Sequence, residues 1–354
     1  MNLKQLAAHL KLSQTTVSRA LNGYPEVSEA TRRRVLEAAN RFNYRPNARA
    51  KSLATGRAMA IGHVMPVSAK GEIVNPIFAD FIAGASETYS QNNYAILLSV
   101  VSDGTEERVY RDFAAQRSVD GVLLHAPQIN DHRIELLRSL GLPFLVHGRA
   151  SGEAGPYSWL DVNNRRAFLR GTEFLVDLGH TRISLVNGHE HLDFAVRRRD
   201  GYLRGLRDRG VMIDEALMCS GEMSESYGYQ TASEHLGWPD PPTAFLVSSM
   251  ITANGVARAV HEAGLALGKD VSLVTFDDDL SYFSNRDEEA HFTALRSSVR
   301  QAGQKSAEML MTLIANPTQG PLEELLEADL VIGRSTGPAP ALDGVARAAI
   351  AQTK

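Results

Sequence analysis

The chain has 354 residues, 44% of them hydrophobic, and a formal net charge of −4. That length accommodates two or three domains. No apolar run approaches the roughly 18–20 residues of a membrane span. The N-terminal Met1–Gln5 lacks the apolar core of a signal peptide. Cys219 is the single cysteine, which excludes an intramolecular disulfide and a thiolate metal cluster. The expectation is a cytoplasmic protein with no membrane partner.

Net charge alone argues against nucleic acid, but its distribution does not. Residues 1–57 hold eleven Lys/Arg and only Glu26, Glu29 and Glu37 as acids, a net of +8 that leaves −12 for the rest. A basic module on an acidic body is an electrostatic footprint for DNA.

Leu3, Leu6, Ala7 and Leu10 have helical spacing and predict a first helix. Lys11-Leu12 is a tight connection. Ser13 is a good N-cap for a second helix, ended by Asn22-Gly23-Tyr24-Pro25. In that second helix Leu12, Val17, Ala20 and Leu21 can face a core. Gln14, Thr15, Ser18 and Arg19 fall on the other side and offer amide, hydroxyl and guanidinium groups suited to base edges and phosphates. Ser28 caps a third helix reaching about Phe42. Three short helices so connected predict a helix-turn-helix domain over 1–45. Arg32, Arg33 and Arg34 are candidates for phosphate contact. Arg45-Pro46-Asn47 breaks the helix, and residues 48–54 are too short to be helical alone and could fold only when docked.

From Ala58 the pattern changes to alternating strands and helices: strand 59–65, helix 76–89, strand 95–100, helix 106–116, strand 121–125, helix 133–140, strand 144–147. It continues with helix 164–178, strand 183–186, helices 195–209 and 226–236, strand 244–247, helix 252–263, strand 271–274, helix 301–314 and strand 328–332. This predicts parallel sheets with helices on both faces. In such folds ligands bind beyond the carboxyl ends of strands. His125, His147, Ser248-Ser249 and Asp277 stand at such ends, and Arg198 lies early in the helix after Asn187-Gly188.

The run Thr16-Val17-Ser18-Arg19-Ala20-Leu21-Asn22, then Val27-Ser28, Thr31-Arg32, Asn43-Tyr44-Arg45-Pro46-Asn47 and Ala50-Lys51-Ser52-Leu53, resembles the lactose-repressor/galactose-repressor family of bacterial transcription regulators. The resemblance extends to about Arg334. It implies DNA contacts from Ser13, Gln14, Thr15, Thr16, Ser18, Arg19, Asn22, Tyr44, Asn47 and Ala50, and a hinge helix in 46–58 with Leu53 as a minor-groove wedge in a dimer. It implies a two-lobed body like a periplasmic sugar-binding protein over 59–335. The expected lobes are 59–160 plus 291–320, and 161–290 plus 321–335, with a disordered tail over 336–354. Arg198, fixed in register by Gly201, and Asp277 match the family's effector-binding arginine and aspartate. Phe78 matches its stacking aromatic, and Asp161 and Phe194 match less closely. His125, His147 and Ser249 complete the expected effector set.

Three departures mark a retuned pocket. Ser248-Ser249-Met250 replaces Asn-Asp, the aromatic usual near Met223 is absent, and His147 stands where the strand usually ends in Asp. The resemblance implies a nucleoid-associated repressor, acting as a homodimer or tetramer on a pseudo-palindromic operator and released by a carbohydrate. The body pattern resembles proteobacterial regulators of α-glucoside uptake. An activator or corepressor-dependent regulator is an alternative, as is a sugar-processing enzyme tethered to DNA. No catalytic residue, metal or cofactor is expected: His189-Glu190-His191 and Asp277-Asp278-Asp279 lack the spacing of metal sites, and Ser248-Ser249 lacks a nucleophile elbow.

Overall fold

The computed structural model describes residues 1–21, 23–44, 56–67, 76–102, 105–152, 155–281, 285 and 290–340. The expected roles of Asn22, Asn47, Ala50 and Leu53, most of the hinge helix and the tail beyond Pro340 therefore lie outside the described residues. The chain divides into two compact units, Met1–Met59 and Ala60–Lys354.

The first unit contains α1 (Leu3–Leu10), α2 (Gln14–Leu21) and α3 (Glu29–Arg41). Asn2 and Gln5 form a reciprocal capping box on α1. Lys11 takes a left-handed φ of 55°, which turns the chain sharply into α2. The Ser13 hydroxyl caps α2 by accepting from Thr16 N at 3.0 Å. Leu6, Ala7, Val17, Ala20, Val35, Ala38 and Ala39 form the core, with Leu12, Leu21, Phe42 and Tyr44 against it. Burial of this one cluster fixes α2 with its polar face outward.

The second unit holds two six-stranded sheets. The first contains β1 (Ala60–Val67), β2 (Ala95–Ser102), β3 (Gly121–His125), β4 (Phe144–His147), β5 (Trp159–Val162) and β11 (Glu323–Leu326), in the order β11-β5-β4-β3-β1-β2 and all parallel. The second contains β6 (Ile183–Gly188), β7 (Met218–Gly221), β8 (Ala244–Val247), β9 (Ser272–Asp277), β10 (Thr293–Arg296) and β12 (Asp329–Val331), in the order β12-β10-β9-β8-β6-β7, with β12 antiparallel to β10. Connecting helices are α4 (Pro76–Gln91), α5 (Glu106–Gln116), α6 (His132–Ser139), α7 (Asn164–Asp177), α8 (Asp193–Asp208), α9 (Glu225–Leu236), α10 (Met250–Glu262) and α11 (Val299–Ala315). The second sheet shows the period of two clearly. Leu185, Leu246, Val274 and Leu295 pack on Phe168 and Tyr202, whereas Val186, Phe245, Val247 and Leu273 pack on Val256 and Val260.

Sheet membership corrects the expected lobe boundaries. β10 belongs to the second sheet, not with 59–160, and β11 belongs to the first, not with 161–290. The chain thus crosses between lobes after β5, after β10 and after β11. The sequence reading missed β5, β7, β10 and β11, whose segments WLDV, MCSG, TALR and EELL lack the unbroken apolar run that marks the equally short β4 (FLVH) and β8 (AFLV). The tail expectation is corrected over 336–339. Thr336 Oγ1 meets Thr293 Oγ1 at 2.7 Å, Gly337 N donates to Ser272 Oγ at 3.1 Å, and Ala339 N donates to Leu178 O at 2.8 Å.

Two glycines let helices approach where the site needs them. A Cβ on Gly201 would stand 2.2 Å from the Arg165 carbonyl oxygen, so only glycine lets α8 lie this close on α7. A Cβ on Gly303 would stand 2.1 Å from the Phe81 carbonyl oxygen, which seats α11 on α4.

Candidate DNA-reading helix and effector cleft

On α2, Gln14, Thr15 and Arg19 are exposed and make no side-chain hydrogen bond among the described residues, while Ser18 and Thr16 are half-buried. Ser13 and Thr16 also bond one another at 2.8 Å, so their hydroxyls serve the cap first. Tyr44 is half-buried against the helical core, which raises its phenol pKa. Arg33 and Arg34 are exposed. Arg32 instead donates to the carbonyls of Gly23 and Tyr24 at 3.3 and 2.9 Å, clamping the turn that ends α2.

Between the two sheets lies a cavity of about 300 Å³. Five of the expected residues line it: Phe78, His147, Asp161, Phe194 and Arg198. Arg198 is 6% exposed. Its Nε donates to Asn164 Oδ1 at 2.8 Å and its Nη1 to the Ser248 carbonyl at 2.7 Å. Its guanidinium lies 4.1, 4.9 and 5.0 Å from the ring centroids of Phe276, Phe194 and Phe168. Burial lowers its pKa to about 10, against the pull of Asp278 and Asp161, so it stays cationic at neutral pH. Among the described residues its Nη2 has no hydrogen-bond acceptor. Asn164 continues the network by donating to Asp161 Oδ1 at 3.3 Å, and Arg149 Nε donates to Asp161 Oδ2 at 2.9 Å. Burial raises the Asp161 pKa despite the Arg149 bond.

Three expected residues are not in the cavity wall. Asp277 is buried in an ion pair with Arg296 (3.1 Å) and also accepts from Asp279 N at 2.8 Å. The carboxyl that lines the cavity is its neighbour Asp278, pushed up to about 7 by burial and then by Asp277, against the pull of Arg198. Ser249 is turned inward as the N-cap of α10, accepting from Thr252 N at 3.2 Å, and Ser248 lines the cavity instead. Both displacements are of one residue, and along extended chain one residue reverses the direction of the side chain.

His125 lies behind the wall, 1% exposed. Its Nε2 faces His63 Nδ1 at 3.1 Å, and its ring stands edge-on to Phe78 and Phe81 at 5.1 and 4.9 Å between centroids. His147 stacks on Phe81 at 4.3 Å and makes no hydrogen bond among the described residues. Burial lowers the pKa of His63 and of His147 to about 4, and that of His125 well below its ordinary value. All three imidazoles are therefore neutral near pH 7, and the His147 nitrogens offer one donor and one acceptor. The sequence reading also missed Arg149 and Asn164 as lining residues, while Met223, near which the usual aromatic is absent, does line the cavity. Asn164 is the second residue after β5, a strand that was not expected, and nothing in the local pattern singles out Arg149.

The arrangement pairs an exposed polar helix with a cleft that presents guanidinium, carboxyl, amide and imidazole groups among phenylalanines. Residues 2–47 match the model of bacterial regulatory proteins of the lacI family, and residues 172–336 match the periplasmic binding protein-like domain. The HTH-type transcriptional regulator AglR of Rhizobium meliloti (strain 1021) is 45% identical over 340 residues, which span 96% of this chain and 95% of that protein. The chain belongs to the LacI family. Another relative, the HTH-type transcriptional regulator RafR of Escherichia coli, is 32% identical over 278 residues, 78% of this chain and 82% of that protein. The Lac repressor dimer bound to operator and the anti-inducer ONPF superimposes with a TM-score of 0.82 at 26% identity, covering 95% of this chain and 99% of that one. The transcriptional regulator CelR in its cellobiose complex superimposes with a TM-score of 0.70 at 27% identity, with the same coverage. This LacI-family chain is thus a helix-turn-helix transcription regulator with a periplasmic binding protein-like body. No helix among its described residues is long and apolar enough to cross a membrane.

Proposed function

We propose that this protein is a repressor that binds a pseudo-palindromic operator as a homodimer and is released by an α-glucoside in the interlobe cleft. It acts in the bacterial cytoplasm at the nucleoid, without a catalytic step. The Arg198 network carries the effector reading. Its unfilled Nη2, the facing Asp278 carboxyl and the His147 ring can bond neighbouring hydroxyls of a neutral sugar. Phe78 and Phe194 can cover its apolar ring faces. The resemblance of the body pattern to proteobacterial regulators of α-glucoside uptake supports the choice of α-glucoside.

On the DNA side, Gln14, Thr15 and Arg19 read base edges in the major groove, and Leu53 wedges the minor groove. One general argument and one observation support a second copy. One α2 helix contacts too few bases for a specific site. β2 is an edge strand among the described residues and exposes Leu97, Leu98 and Val100, an apolar edge that a partner would cover. The test is operator binding by fluorescence anisotropy with maltose, sucrose, trehalose and monosaccharides. Release by one or more α-glucosides is expected; an affinity unmoved by every sugar would remove the proposal.

A further inference from the structure

The two lobes are tied at two places outside the sugar-facing wall, and the ties are reciprocal. Asp80 of α4, 4% exposed, accepts from the backbone N of Ser281 at 2.8 Å and from the Ser281 hydroxyl. Asp80 belongs to the first-sheet lobe, and Ser281 follows β9 of the second. Asp193 of α8, 1% exposed, accepts from Ser151 N at 2.6 Å and from Arg197, whose Nη2 donates to Ser151 Oγ at 3.1 Å. Here the carboxylate comes from the second lobe and the serine from the first. Asp193 N also donates to Pro127 O at 3.1 Å, beside an antiparallel bridge between Gln128 and Leu192.

Each tie ends close to a cleft group. Ser281 lies three residues after Asp278, and the turn between them is held by Asp279, at φ 55°, donating to Asp277. Asp193 adjoins Phe194 and stands five residues before Arg198 on the same helix. Neither carboxylate reaches the cavity wall. If the lobes part, both carboxylates regain water, so these bonds favour the closed lobes over the open ones rather than the fold over the unfolded chain.

We infer that Asp80 and Asp193 are positioning residues for effector binding. Each clasps the opposite lobe's serine and so sets the closed population and the placement of Asp278 and Arg198. This rests on the reading that a sugar fills the cleft and touches both walls. Apparent affinity then scales with the closed fraction, and a carboxylate that touches no ligand atom controls it.

The test uses the full-length protein and maltose, sucrose and trehalose as probes in calorimetry. Asp80→Asn is isosteric and should weaken binding about tenfold, given the strength of hydrogen bonds to charged groups. Ser281→Ala keeps the backbone donor and should cost about threefold. The double variant should bind no more weakly than Asp80→Asn alone, because one shared contact is lost once. Asp193→Asn should weaken binding as Asp80→Asn does. In ligand-free protein, small-angle scattering should give a larger radius of gyration for Asp80→Asn/Asp193→Asn than for wild type. Additive losses, or wild-type affinity in both single variants, would overturn the inference. If wild type binds none of the sugars, the sugar reading fails separately, and an unchanged radius of gyration would then sink the clasp by itself.

Discussion

Helix α2 and the cleft around Arg198 both present side chains to a ligand, but they are built in opposite ways. Gln14, Thr15 and Arg19 are exposed and carry no structural duty visible in the first unit. Arg198 is buried, and two of its donors already hold Asn164 and the Ser248 carbonyl, with three phenylalanine rings around it. The DNA-reading surface can therefore vary without touching the fold. The cleft cannot, because the groups that read the effector also carry part of the packing between strand ends.

The largest test of that contrast is Arg198→Met. It removes a buried cation, leaves Asn164 Oδ1 and the Ser248 carbonyl without their donor, and takes away the charge that favours the Asp278 carboxylate. Breaking a buried charge arrangement costs about 3–5 kcal/mol, so the urea midpoint should fall sharply and the effector response should vanish together. Lost response with an unchanged midpoint would mean that Arg198 is as free as Arg19.

A second test uses pH. The Asp278 carboxyl sits at about 7 in the folded chain against 3.8 ordinarily. Between these values the folded state binds more protons than the unfolded one, so this group makes stability fall as pH rises from about 4 to about 7. His63 and His147, at about 4 folded against 6.5, act with the opposite sign below 6.5, where the unfolded chain binds more protons. Asp278→Asn should thus be increasingly favoured over wild type from pH 4 to 7 in urea titrations. Effector affinity should tighten from pH 6 to 8 in wild type, as the carboxylate forms, and stay flat in the variant. A flat wild-type profile would take Asp278 out of the site.

A smaller effect is expected on the exposed side. Gln14→Ala should cost about 1–3 kcal/mol of operator affinity and relax one base position, with the unfolding free energy from urea titration changing by less than about 0.5 kcal/mol. Binding-site selection checks the first part. An unchanged preferred operator would remove Gln14 from base readout.

The two regions also differed in how legible they were. The helix-turn-helix unit could be read almost residue by residue, because Ser13, Gly23 and Ser28 are local signals and Val17 and Ala20 follow one helical period. The long helices and central strands of the body were equally plain. What escaped was set by contacts distant in sequence. β5 and β11 find one another across some 160 residues, and Asp80 meets Ser281 across 201, with no trace in either local pattern. At two strand ends the residue in the cavity wall is of the expected type but stands one position away from the expected one. Asp277-Asp278 and Ser248-Ser249 are pairs of like residues, so composition does not say which member faces the cleft; Arg296 and Thr252, which capture the other member, decide it.

The serine pair gives the smallest and most discriminating test. Ser249 Oγ caps α10, so Ser249→Ala should cost about 1 kcal/mol of stability and leave effector affinity at its wild-type value. Ser248→Ala removes a hydroxyl that donates to Asn187 Oδ1 at 2.8 Å, but keeps the carbonyl that anchors Arg198. It should shift effector affinity only a few-fold, because the backbone and not the side chain holds the guanidinium. Calorimetry and urea titration on the same two proteins separate the roles. If Ser249→Ala weakened the effector while sparing stability, the one-residue placement at this strand end would be reversed, and the assignment of Asp278 over Asp277, which rests on the same alternation, would fall with it.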